Sequence, residues 1–268
     1  MLEVNLERYS TLGIGGRAEV EVVKTAEALS VLSDSVIIGG GSNVLFGDRN
    51  LPPIAINKVS GISVSGRHVY AYSGTRMAEL VRRSAGVGLS GLEWAYGLPG
   101  SVGGAVVGNA GANGKSVSDN VLYVDAVKNG RIVRLSASQC GFAYRNSALS
   151  GCIVSGACFW LERGSKGEIN GRIKSALEKR MTQPKGKSAG CTFKNPDGYS
   201  AGWLIQECGL KGKRVGGAVI SERHANFIIN IGSATAKDVY SLILTAEKAV
   251  YDKFGIKLDR EIKIVGEI

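Results

Sequence analysis

The chain has 268 residues, 44% hydrophobic and 21% charged, a composition that supports a folded core without stapling. Its formal charge of +10 attracts anionic partners, but the basic residues are spread along the chain and are densest from Arg163 to Arg214. With no arginine-rich tail and no alternation of basic and aromatic residues, a nucleic-acid-binding protein is the minor alternative to an enzyme with an anionic substrate.

The charged opening MLEVNLERYS lacks the apolar segment of a secretory signal, and no apolar run is long enough to cross a bilayer. Five cysteines (140, 152, 158, 191 and 208) form no CxxC pair and no zinc-spaced set. The expectation is a cytoplasmic protein with reduced thiols, no metal and no membrane or nucleic-acid partner.

In chain order, the alternating EVEVVK (19–24) predicts a strand and TAEALSVLS (25–33) a short helix. SVII (35–38) is an apolar strand stopped by GGGSN, and NVLF resumes it. PIAIN, ISVSG and HVYAYS follow as strands, the last two joined at Gly66-Arg67. MAELVRRSA (77–85) is helical. VLYVDAVKNGRIVRLSA (121–137) is the clearest hairpin, because Asn129-Gly130 tolerate the positive φ angles of a type I′ turn. CIVSGACFWLER (152–163) is another strand. Beyond about residue 165 come a helix over EINGRIKSALEKRM, a turn-rich stretch at 182–200, the short helix AGWLIQEC and the strand NFIINI. A long helix over 235–254 is capped by Thr235 or Ser233 and stopped by Gly255, and REIKIVGEI is the last strand. This is an α+β pattern divided near residue 165.

Two glycine clusters stand out. GVGLSG (86–91) fits G-x-G-x-x-G, but a helix rather than a strand precedes it, which excludes a dinucleotide-binding βαβ turn. In IIGGGSNVLF, by contrast, Gly39, Gly40 and Gly41 follow a strand, so their backbone N–H groups can form an anion-binding nest to which Ser42 and Asn43 add donors. GLPGSVGGAVVGNAGANG (97–114) is dense enough in glycine for its backbone to lie against a large planar or diphosphate-bearing ligand. The competing reading makes each of these glycines a turn between strands.

TLGIGG, IIGGGSNVL, GLEWAYGLPGSVGGAVVGNAGA, FAYRNS, AGCTFKNP, AGWLIQECGLKG, GGAVISERHANFIIN and REIKIVG occur in the order found in UDP-N-acetylenolpyruvoylglucosamine reductases, and the chain resembles that family over its whole length. Its shortness is similar to the compact branch that lacks an extra substrate-closing loop. The resemblance implies a two-part α+β FAD-binding domain of the vanillyl-alcohol-oxidase type at 1–165. It also implies a smaller α+β substrate-binding domain at 166–268, whose last strand, near 258–266, returns to the active site. It implies non-covalent FAD, with NADPH as co-substrate and UDP-N-acetylglucosamine enolpyruvate as the group reduced in peptidoglycan precursor synthesis. A monomer is expected.

The same resemblance distributes roles. Gly39 to Asn43 would wrap the FAD pyrophosphate. Gly97, Pro99, Gly100, Gly103, Gly104, Asn109, Ala110 and Gly111 would lie along the rest of the cofactor, with Val154 near the flavin ring. Arg145 matches the active-site arginine that grips the carboxylate, and Glu261 matches the glutamate working with it, although alternation with Ile262 alone would place Glu261 facing water. Cys191 stands where better-known members carry the serine that protonates the α-carbon. An unperturbed thiol, with a pKa of about 8.5, is mostly protonated at neutral pH yet far more acidic than an alcohol. Its competing reading is a small buried hydrophobe. Tyr144, Lys187, Lys194, Asn195 and Gln206 are candidate contacts for the substrate or for phosphates, and His224 and Asn226 are expected to organise the substrate domain. The main rival function is another FAD-dependent oxidase on the same scaffold.

Overall fold

A computed structural model describes residues 1–32 and 34–268. The chain forms two compact units that are interleaved in sequence. One, here the sheet unit, comprises Glu21–Gly40 and Ile54–Thr182; the other, the C-terminal unit, comprises Met1–Val20, Gly41–Pro53 and Gln183–Ile268. Both mix helices and strands, in keeping with the α+β expectation.

The sheet unit is built on five antiparallel strands in the order Arg131–Ser136, Val121–Lys128, Ile153–Trp160, His68–Tyr72, Ile62–Ser65. Register and pleat place Val124, Ala157, Ala71 and Ile62 in one row across the sheet. That face packs on α2 (Met77–Gly86) and α3 (Val102–Val107), a core in which Val69, Leu80, Val124 and Phe159 are fully buried. Burying each such side chain contributes roughly 1.5–3 kcal/mol. Helix α2 presents Met77, Leu80, Val81 and Ser84 inward, the spacing of one helical face. On the opposite face of the sheet, Arg134 grips Asp125 through two bonds of 2.9 and 3.1 Å. Burial, followed by the charge of Asp125, pushes the Tyr70 phenol well above its usual range. The hairpin turn is as expected, with φ of 51° at Asn129 and 71° at Gly130. The first helix, α1, spans Ala26–Ser30 under a Thr25 cap; Ser33, expected at its end, lies outside the described residues.

Helix α4 (Lys166–Met181) starts at a Ser165 cap, as its sequence suggests, but belongs to the sheet unit. The division expected at 165/166 marks a change from strand to helix, whereas the compact unit continues to Thr182. The reason lies in how α4 is attached. It buries only Ile169 and Ala176, and Arg172 supplements that thin stripe by bonding Glu93 and Ser90, each at 3.0 Å. Burial alone would raise the Glu93 carboxyl, but N–H donors and Arg172 outweigh it and hold Glu93 below the ordinary range.

In the C-terminal unit, α5 (Ala201–Glu207) and α6 (Ala236–Phe254) pack with three short antiparallel strands, Arg214–Val215, Ala218–Ile220 and Ile228–Asn230. Lys263–Val265 runs parallel to Val44–Phe46, so the final strand is shorter than REIKIVGEI suggested. Helix α6 opens with a reciprocal capping box between Thr235 and Asp238 and ends at Gly255 with φ of 67°. Among the described residues, no helix is long and apolar enough to cross a membrane.

Candidate functional site

In the C-terminal unit, SAGCTFKNP is held between two other segments through its backbone. On one side, Cys191 bridges Phe227, and the Thr192 N–H donates to the Asn226 carbonyl at 2.8 Å. The Asn226 side chain then takes both backbone groups of Phe193: its Oδ1 accepts the N–H at 2.9 Å and its Nδ2 donates to the carbonyl at 2.8 Å. On the other side, Lys194 N–H donates to Asp259, and Glu261 and Ile262 both donate to the Thr192 carbonyl, at 2.8 and 3.2 Å. The Asn43 side chain completes the set by donating to the Glu261 carbonyl at 3.0 Å. Three residues far apart in sequence, Asn43, Cys191 and Glu261, are thereby drawn into one hydrogen-bonded patch. Cys191 and Glu261 are both half-buried, so Glu261 is not the fully solvated strand residue that its alternation suggested.

The TLGIGG segment ties into the same unit. Thr11 donates its hydroxyl to Ser188 at 2.7 Å, and Asn230 donates to the carbonyls of Leu12 and Gly13. A side-chain carbon on Gly13 would lie 2.7 Å from Lys187 Cδ, so the aliphatic stem of that exposed lysine runs over Gly13. Lys194 is half-buried, Asn195 is exposed and accepts the Ala201 N–H at the start of α5, and Gln206 is exposed on α5. His224 Nδ1 accepts the Asn226 N–H at 3.2 Å. Burial, ahead of the charge of Lys211, holds His224 below the ordinary histidine range, and the neutral ring suits that acceptor role.

In the sheet unit, Ala143 and Asn146 exchange backbone hydrogen bonds at 3.0 and 3.2 Å around a tight turn whose centre is Tyr144-Arg145. Arg145 adopts φ of 52°, a left-handed conformation costing a non-glycine residue about 1–2 kcal/mol. That backbone aims the guanidinium at the Gly111 carbonyl, 2.6 Å away, and sets it 5.3 Å from the Tyr144 ring, which is itself exposed. Asn109 is buried and braces this turn by donating to Ala143 at 2.9 Å while accepting the Ser118 N–H. Asn109, Gly111, Tyr144 and Arg145 are thus one local arrangement. Strain of this kind persists where the surroundings over-determine it.

The glycine clusters divide into two kinds. Gly39 packs on the Ser101 hydroxyl, Gly41 (φ 61°) on the Tyr9 carbonyl, and Gly103 lies where a side-chain carbon would come 2.8 Å from Ser73 Cβ. A side-chain carbon on Gly40 would come 2.5 Å from Gly100 Cα. These four are glycines because backbone meets backbone or a short side chain there. Gly97 and Gly104 are different: both are exposed, and nothing presses closer than 3.5 Å on the space a side chain would take. Within the 97–114 stretch, Val102–Val107 is a helix capped by Ser101, so that part of the backbone is coiled rather than extended. Val154 is buried in the apolar core, so only its backbone can approach a ligand. Ala110, Gly100 and Ser42 are half-buried, and Pro99 is exposed.

The sequence reading missed Arg260, which bonds Glu247 on α6 through Nε and Nη2 at 2.5 and 2.8 Å. It also left the bidentate bonding of Asn226 to Phe193 unspecified. A short polar residue following a turn was the available signal for Asn226; for Arg260 there was none.

Residues 20–136 match the FAD binding domain family, and residues 182–265 match the C-terminal domain of UDP-N-acetylenolpyruvoylglucosamine reductase. FAD would bring a diphosphate, and the Gly39–Asn43 loop fits one: among the described residues, the N–H groups of Gly40 and Gly41 meet no acceptor, with Ser42 and Asn43 beside them. The chain is 37% identical to the UDP-N-acetylenolpyruvoylglucosamine reductase of Clostridium novyi, over 98% of this chain and 91% of the relative. It is 40% identical to that of Thermus thermophilus, over 97% of both. The crystal structure of the Thermus caldophilus enzyme, 39% identical, superposes over 98% of each chain with a TM-score of 0.89. The chain belongs to the UDP-N-acetylenolpyruvoylglucosamine reductase family.

Proposed function

We propose that this FAD-dependent oxidoreductase uses NADPH to reduce the enolpyruvyl ether of UDP-N-acetylglucosamine to UDP-N-acetylmuramate, a cytoplasmic step in making peptidoglycan precursors. The observation that carries the reading is the bonding of the Cys191 and Glu261 segments to each other, through the Thr192 carbonyl, in the part of the chain that matches the reductase C-terminal domain. The Gly39–Asn43 loop, together with exposed Gly97 and Gly104, would hold FAD, which would supply hydride-transfer chemistry between NADPH and the enol ether.

Hydride addition to the terminal carbon of the enol ether leaves an electron pair on the carbon α to the carboxylate, delocalised as an enediolate. Arg145 stabilises that charge: its guanidinium is permanently cationic, and its strained backbone fixes its direction. Cys191 gives its thiol proton to the α-carbon and is reprotonated from solvent, so NADPH and one proton are consumed for each product formed. Glu261 shares in orienting the carboxylate and the donor. Lys187, Lys194 and Asn195 supply cationic or hydrogen-bonding groups for the diphosphate or for the NADPH phosphates, and Tyr144 and Gln206 contact substrate.

The test is an anaerobic spectrum of the FAD-loaded protein, first with NADPH and then with the enolpyruvyl nucleotide. Flavin bands that bleach and then return support the reading, whereas bands that bleach and stay bleached refute the substrate. In the same assay Cys191→Ser keeps turnover. Cys191→Ala bleaches normally but recovers slowly, and unchanged recovery would remove Cys191 from the chemistry.

A further inference from the structure

We propose that the Arg260–Glu247 ion pair positions Glu261 for the reaction, with Arg260 acting as a positioning residue that touches no reacting atom. The inference rests on the reading of Glu261 given above. Arg260 forms an antiparallel bridge with Phe193, in the segment that carries Cys191. Its guanidinium takes both carboxylate oxygens of Glu247, at 2.5 and 2.8 Å, and lies 5.1 Å from the Tyr240 ring. Tyr240 and Glu247 sit seven residues apart on α6, two turns along one face, so a single helix holds the guanidinium by its edge and its plane.

The neighbouring residues follow from that anchor. Ile262 enters the core and Arg260 reaches α6, with Glu261 between these two anchored residues. Other bonds hold the segment too: Lys194 N–H to the Asp259 carbonyl, the N–H groups of Glu261 and Ile262 to the Thr192 carbonyl, and the Asn43 side chain to the Glu261 carbonyl. Those bonds hold the segment to its neighbours mainly through its backbone. The bidentate side-chain pair, planar and charged, adds a directional anchor from α6 at the residue next to Glu261. A lysine in its place would keep the charge and lose the plane.

The pair is a partly open one, since its two side chains retain 31% and 25% of their exposure and a groove of about 600 Å³ lined by Lys248, Tyr251, Lys257 and Asp259 adjoins it. Breaking it therefore leaves a carboxylate that water can reach. The C-terminal unit is expected to survive the substitution, so that an effect on the reaction can be read separately from an effect on folding.

The experiment compares Arg260→Lys, Glu247→Gln, Glu261→Gln and the double variant Arg260→Lys/Glu261→Gln, each loaded with FAD. Reduction by NADPH and reoxidation by the enolpyruvyl nucleotide are followed as separate single-turnover phases, and amide exchange is followed in the peptide spanning residues 259–262. Arg260→Lys and Glu247→Gln are expected to slow reoxidation by roughly tenfold to a hundredfold, the range for about 1 Å of misplacement, and to leave the NADPH phase unchanged. Exchange at Glu261 and Ile262 is expected to rise, with that of α6 unchanged. Adding Arg260→Lys to Glu261→Gln is expected to cost nothing further. A slow Glu261→Gln beside an unaffected Arg260→Lys overturns this inference alone, as does an Arg260→Lys effect that multiplies with that of Glu261→Gln. Wild-type reoxidation by Glu261→Gln overturns the reading of Glu261 and this inference with it.

Discussion

Asn226 takes both backbone groups of Phe193 in the C-terminal unit, and Asn226→Ala is expected to be strongly destabilising there. Asn226 and Phe193 are each 2% exposed, so no water stands ready to replace the lost amide. The substitution strands the Phe193 N–H and carbonyl, which now bond Asn226 at 2.9 and 2.8 Å. Each buried backbone group left unpaired costs about 1–3 kcal/mol, giving roughly 2–6 kcal/mol together. With a loss near 4 kcal/mol and a urea slope near 2 kcal/mol/M, the unfolding midpoint falls by about 2 M. Two units need not unfold together, so a global signal is the wrong probe. Built-in thiols separate them: Cys208 packs against the core of the C-terminal unit, while Cys140 and Cys158 are buried in the sheet unit. Alkylation of each cysteine against urea, read peptide by peptide, is expected to move the Cys208 midpoint and leave the other two in place. Asn226→Asp keeps the acceptor for Phe193 N–H but faces the Phe193 carbonyl with a second acceptor, so it should rescue little. A Cys208 shift worth less than about 1 kcal/mol would show that the bidentate pair is replaceable and refute the reasoning.

Three further outcomes are expected. Gly104→Ala places a methyl group where only Ser101 Oγ lies near, at 3.7 Å, so the cofactor-free protein should be as stable as wild type or up to about 1 kcal/mol more so, while FAD binds about tenfold more weakly; an equal FAD dissociation constant by fluorescence titration would mean the cofactor does not pass this backbone. Thr235→Ala removes one arm of the α6 capping box and should lower stability by about 1–2 kcal/mol in urea unfolding followed by circular dichroism. His224 is held below the ordinary histidine range, chiefly by burial, so the unfolded chain takes up its proton first as pH falls. Its contribution to stability is whole above about pH 6.5 and declines as pH drops below that, so His224→Gln should flatten the pH dependence of the urea midpoint between about pH 5 and 7.

Features whose cause is local were legible in the sequence. The long helix α6 announced both its ends, through Thr235 or Ser233 at the start, of which Thr235 is the cap, and through Gly255, because capping and left-handed termination use neighbours in the chain. Asn129-Gly130 announced its hairpin for the same reason. Helix α3 was not legible: VGGAVV is poor in helix formers, and what holds it is the Ser101 cap together with backbone bonds from Val102 and Gly103 to Thr75 and Ser73. Nor was the membership of α4, which depends on Arg172 reaching Glu93, 79 residues away in sequence.

The glycines show most clearly where pattern stops. Gly40 and Gly104 read alike in sequence, as members of glycine-rich loops. In three dimensions one is pressed against Gly100 and the other is open. Density of glycine signals close approach, but it does not say whether the approaching surface is the protein itself or a ligand. The residues proposed to react, Cys191 and Glu261, have the same difficulty in sharper form. A free cysteine after Ala-Gly is ordinarily core filler, and a glutamate beside an isoleucine on a short strand is ordinarily wet. What raises both above the ordinary is a single carbonyl, that of Thr192, which accepts the N–H of Glu261 while its residue adjoins Cys191. That bond joins positions 192 and 261, a separation at which no periodicity operates, so the order of motifs could suggest the pairing and only the backbone geometry could account for it.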